Sequence, residues 1–167
     1  MEAVFVDGNN FYHPLMERVG KKVDMRRFAE TLAPGAEELR YYTARGFGKG
    51  GEAHRGFLRA LARQGWRVFL GELVRGQEKM TDVALGVDLA LLAVLGKYDR
   101  AHLVSGDMDL VPAVRVARQW GKEVVVWAFR GTVSPLLEEA ASEVRALDDL
   151  DWDSLAWTEV KEVEVTK

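Results

Sequence analysis

The chain predicts an α/β fold, a mostly parallel sheet covered by helices on both faces. Three observations carry that prediction. Short apolar runs recur along 167 residues, helical patterns lie between them, and three of those helices end alike, as "ERVG", "ARQG" and "RQWG", where glycine supplies a left-handed closing residue. Short strands alternating with helices of this length require right-handed crossovers, hence parallel pairing and a sheet buried on both faces.

The strand runs cover residues 3–6, 39–43, 67–73, 101–104 and 123–128, with an edge strand expected over 143–147. Helices are expected over 10–19, 25–32 behind an Asp24 cap, 52–64, 82–95, 109–120 and 134–141. Pro112 falls in a first turn, where its missing N–H costs nothing. Residues 1–147 read as one domain, since 48% hydrophobic content at this length builds a single core. Residues 148–167 read as an acidic tail or docking segment.

Composition narrows the chemistry. With no cysteine there is neither a disulfide nor a thiolate zinc site, and His13, His54 and His102 show no zinc-binding spacing. The N-terminus lacks the form of a signal peptide and no window reaches the length of a membrane span, so a cytoplasmic protein without membrane contact is expected. The net charge of -3 conceals segregation. Residues 40–79 hold nine Lys or Arg against three acids, whereas 148–167 hold seven acids against two lysines. A basic face suited to nucleic acid is therefore compatible with an acidic whole, although solvated helix faces give the same count.

Two apolar runs end on aspartate: "VFVDGNN" at 4–10 and "LVSGDMD" at 103–109. In an open parallel sheet both acids reach the carboxyl edge, where sites form. One such aspartate is ordinarily a turn former or cap, and Asp109 fits a cap for the helix after it. Asp7 and Asp107 together are harder to explain, because two carboxylates about 4 Å apart repel by about 4 kcal/mol at an effective dielectric of 20. A third acid, Asp88, lies inside "TDVALGVDLALLAVLG", a helix apolar nearly all round and therefore expected to be buried, with no basic residue on it before Lys97. Asp82, at the start of that helix, reads either as an N-cap or as a further acid of the site. Hard oxygen ligands without His or Cys select Mg2+ or Mn2+, and such ions suit phosphodiester hydrolysis.

These residues resemble a known family. "VDGNN" followed by "KMTDVALGVDLALLAVLGKYDRAHLVSGDMDLVPAVRVARQWGKEVVVW" looks like the NYN domain of the LabA type, in the PIN-like nuclease superfamily, over about residues 2–147. The resemblance implies a PIN-like three-layer sandwich with a mostly parallel central sheet, and Mg2+- or Mn2+-dependent cleavage of RNA, single-stranded by preference. It implies Asp7, Asp88 and Asp107 as site acids, Asn10 as the residue that positions Asp7, Asp82 as the aspartate of a K-x-x-D helix start, and Asp109 as the second acid of the SGDxD turn. Leu110 stands where phenylalanine is more usual, and the glutamate that many PIN nucleases carry on an earlier helix has no evident match. Arg45, Lys49, Arg55 and Lys79 are the expected nucleic-acid contacts. A homodimer is left open.

Two other readings compete. A non-catalytic module could bind RNA or protein through the same cleft. Residues 46–51, "GFGKGG", also satisfy G-x-G-x-x-G, with Glu72 at the spacing of a ribose-binding acid. A Rossmann fold, however, wants that loop after the first strand, and leaves Asp7, Asp88 and Asp107 without a role.

Overall fold

The structure, a computed structural model, describes residues 1–44 and 51–158, with the side chains of 51–53 outside that description. Seven strands form one sheet: β1 (Glu2–Asp7), β2 (Glu38–Ala44), β3 (Trp66–Val74), β4 (Gln77–Lys79), β5 (Arg100–Val104), β6 (Glu123–Ala128) and β7 (Glu143–Ala146). Their order is β4-β3-β2-β1-β5-β6-β7, and every neighbouring pair is parallel except β3 with β4. The chain goes one way from β1 into β2 and the other way from β1 to β5, so the topological switch point lies between β1 and β5.

Among the described residues seven helices complete the layers: α1 (Gly8–Arg18), α2 (Met25–Leu32), α3 (Gly51–Arg63), α4 (Thr81–Val94), α5 (Val111–Gln119), α6 (Pro135–Ala140) and α7 (Trp152–Leu155). Because strand side chains alternate, β1 sends Ala3 and Phe5 into one core with Leu85, Leu89, Val114 and Leu137. Val4 and Val6 enter the other, with Phe11, Phe28 and Leu61. The predicted three-layer α/β sandwich is therefore the observed one. The three glycine signals hold: Gly20, Gly65 and Gly121 all have φ between 69° and 93°. Asp24 caps α2 as expected, accepting from the N–H groups of Arg26 and Arg27.

Two features depart from the sequence reading. β4 was not expected, because "QEK" has no apolar residue; it exists because Arg75 and Gly76, both at positive φ, turn the chain back along β3. The second is α4, which is not buried all round. Leu85, Leu89 and Leu92 face the core, while Val83, Val87 and Leu91 stand 71%, 56% and 48% exposed. The apolar residues on its outer face conceal the amphipathic period.

Gly71 fixes the β3–β4 hairpin against the start of α4. A Cβ there would run into the Lys79 carbonyl oxygen and the Thr81 hydroxyl. Gly71→Ala should therefore lower stability by about 1–3 kcal/mol, read as a shift of the urea midpoint at unchanged slope.

Beyond β7 the acidic stretch docks on the body. Trp152 stacks on Phe28 and Phe129, Leu155 is buried, and the Trp152 indole donates to the Leu147 carbonyl at 2.9 Å. Asp148 accepts from Arg18 and from the Arg130 N–H. Among the described residues, no helix is long and apolar enough to cross a membrane.

Candidate metal centre

β1 ends in Asp7, which is 3% exposed and is also the N-cap of α1. Its Oδ1 accepts from the Asn10 N–H at 3.4 Å and its Oδ2 from the Ser105 hydroxyl at 3.0 Å. The Asn10 side-chain oxygen accepts from the Gly106 N–H at 2.9 Å. These bonds tie the turn after β1 to the turn after β5 across the switch point. Gly106 must be glycine, since a Cβ would strike the Thr132 carbonyl.

Asp107 follows in the second turn. Its N–H donates to Ser105 Oγ at 3.1 Å, and its Oδ1 caps a short 3-10 turn by accepting from the Asp109 N–H at 2.8 Å. Asp82 arrives from above, in the first turn of α4, behind Met80 at φ 75°. One carboxylate oxygen from each of Asp7, Asp82 and Asp107 lies within 4.8 Å of the other two. Among the described residues, none of the three is paired with a Lys or Arg.

Crowding and burial perturb the group. Burial, with smaller contributions from Glu78 and Asp107, pushes Asp7 from the ordinary 3.8 up to about 6, against the lowering effect of the Ser105 and Asn10 hydrogen bonds. Burial first, then the charges of Asp7, Asp107 and Glu78, pushes Asp82 up to about 7. Three oxygen donors from three separate elements, repelling one another, fit a hard divalent cation such as Mg2+ or Mn2+ in donor type and spacing.

Two expected members stand elsewhere. Asp88 is six residues beyond Asp82 along α4 and faces β2, where its Oδ2 accepts from the Tyr42 hydroxyl at 2.7 Å and from Arg40 at 3.4 Å. The basic partner absent from its own helix comes from another element, and Asp88 is an ion-paired residue outside the carboxylate group. Asp109 is exposed, and its backbone donates to Asp107 instead of its side chain capping α5. Asp82 is not the N-cap of α4 either; Met80 holds that position without a side-chain bond.

Of the basic residues, Arg55 on α3 and Lys79 on β4 are exposed, whereas Arg45 and Lys49 lie outside the described residues. So does most of the glycine loop, 46–50; it follows β2, and the first strand carries the acidic turn instead. Sequence reasoning missed Glu78, whose charge acts on both Asp7 and Asp82, and the hydroxyl of Ser105 as the clamp on Asp7. The SGDxD turn held the signal for Ser105; "QEK" held none for Glu78.

Comparison with known proteins agrees with this fold. No curated protein matches the chain. Among solved structures, a Vibrio parahaemolyticus protein of unknown function superposes with a TM-score of 0.71 at 26% identity, over 89% of this chain and 93% of that one. The NYN domain family model matches residues 2–148, nearly the whole described chain. The protein therefore belongs to the NYN domain family, within the PIN-like nuclease superfamily.

Proposed function

We propose that this NYN protein, of the LabA type, is a Mg2+- or Mn2+-dependent ribonuclease acting on single-stranded RNA. The observation that supports this most is the convergence of the Asp7, Asp82 and Asp107 carboxylates at the switch point, with no Lys or Arg paired to them among the described residues. In this reading the three aspartates hold the ion, while Ser105 and Asn10 keep the Asp7 oxygens aimed and join the two turns. A bound divalent ion supplies positive charge to the phosphate oxygens and acidifies water. Asp88 and Arg40 fix α4 against β2, and so fix the height of Asp82. The Arg55 and Lys79 side chains, both exposed, meet the RNA backbone, with Arg45 and Lys49 as further contacts of the same kind.

Cleavage of end-labelled single-stranded RNA with Mn2+, and its loss with a chelator, tests the proposal. RNA bound but left intact under saturating Mn2+ is the outcome expected of a binding module instead.

The backbone contacts carry their own test. Affinity for single-stranded RNA should fall steeply with salt, and Arg55→Ala with Lys79→Ala should flatten the plot of log affinity against log salt by about 0.7 per phosphate contact removed. An unchanged slope would return both residues to the solvated surface.

A further inference from the structure

We propose that Glu78 is a fourth acid of this centre, a positioning residue that the β3–β4 hairpin carries to the rim of the three aspartates to complete the negative shell around a divalent ion. The inference rests on the metal-centre reading above and adds to it a residue from an element that no motif marks.

Glu78 is the middle residue of a three-residue strand, and its Oε1 is shut off from solvent without meeting any donor. A carboxylate oxygen in that position is costly unless something positive or protic meets it, so a purely structural hairpin would carry a neutral residue there. Glu78 also lies near enough to the cleft for its charge to act on the acids there. Its charge bears on Asp7, Asp82 and Tyr41, all of which it raises, and β4 lies beside the start of the helix that bears Asp82. The delivery is rigid. Arg75 and Gly76 close the turn at positive φ, Gly71 leaves room for the Lys79 carbonyl and the Thr81 hydroxyl, and Met80 enters α4 in the left-handed region. Only three residues separate Glu78 from Asp82, so the hairpin that places one acid also sets the approach of the other.

The Glu78 oxygens are not among those within 4.8 Å of one another. Its role is accordingly that of an outer acceptor, holding water around the ion and adding charge, while the three aspartates make the direct contacts.

Mn2+ titration calorimetry on the wild-type protein, Glu78→Gln, Glu78→Ala and Asp7→Asn, beside melting of each without metal, tests this. Glu78→Gln keeps the shape of the side chain and should bind Mn2+ about tenfold or more weakly, with metal-free melting unchanged or higher. Wild-type Mn2+ affinity in Glu78→Gln would overturn the role of Glu78, and a lower metal-free melting temperature beside it would mark the residue as structural. The two readings fail separately. If wild type binds Mn2+ and Asp7→Asn does not, yet Glu78→Gln matches wild type, only Glu78 is misassigned; if wild type binds no Mn2+, the centre itself is wrong.

Discussion

Asp82→Asn should make the metal-free protein more stable and abolish the proposed RNA cleavage. At pH 8 the native state holds Asp82 ionised against Asp7, Asp107 and Glu78, although burial and those charges favour its neutral form. Asparagine keeps the shape and removes the charge. The gain should be on the order of 1 kcal/mol, well below the full repulsion, because the side chain is partly exposed and water screens it. It should shrink as pH falls below about 7 and vanish only below the unfolded value of 3.8, where the aspartate is protonated in both states. Loss of a ligand should meanwhile remove several kcal/mol of transition-state stabilisation, roughly three orders of magnitude in cleavage rate. Urea unfolding at pH 5 and pH 8 beside the RNA assay reads both effects. A destabilised Asp82→Asn that still cleaves RNA would make Asp82 an ordinary helix-start residue.

The second large effect is on pH dependence. Asp7 and Asp82 have folded pKa values of about 6 and about 7, above the ordinary 3.8 of the unfolded chain. Between those limits the folded protein binds more protons than the unfolded one, so metal-free stability should fall as pH rises from about 4 to about 7 and level off above. The loss should reach a few kcal/mol. His102 works in the other direction. Burial lowers its pKa, so its contribution improves as pH rises toward 6.5. Asp7→Asn combined with Asp82→Asn separates the two, since the pair should remove the decline and leave the histidine component. Saturating Mn2+ should reverse the slope, because the ion binds the deprotonated carboxylates and stabilises only the native state. Metal-free stability that rises steadily from pH 4 to pH 8 would show that the acids are not crowded as described.

Much of this was legible in the sequence, for physical reasons that differ by residue. Asp7 and Asp107 could be read because an apolar strand that ends on an acid leaves that acid at the carboxyl edge, whatever the sheet order. The helix ends were legible through Gly20, Gly65 and Gly121, because a left-handed residue is a local requirement. The partners of Asp88 were not legible, for the opposite reason. Its environment is set by Arg40 and Tyr42, more than forty residues away in the chain, and no local pattern reports a partner on another strand. The apolar outer face of α4 then made Asp88 look more buried than it is. β4 left no trace because three polar residues on a sheet edge need no apolar period; only the Arg75–Gly76 turn hinted at it. Strand order was not readable either, and with it the placing of the site between β1 and β5.

The most direct test of the central claim is Mn2+ binding by Asp88→Asn set beside Asp7→Asn, two buried or half-buried acids of which only Asp7 lies in the cluster. Asp88→Asn should lose stability through its Arg40 pair yet bind Mn2+ with wild-type affinity, whereas Asp7→Asn should keep its fold and lose the ion. Loss of Mn2+ binding in Asp88→Asn with retention in Asp7→Asn would contradict the account.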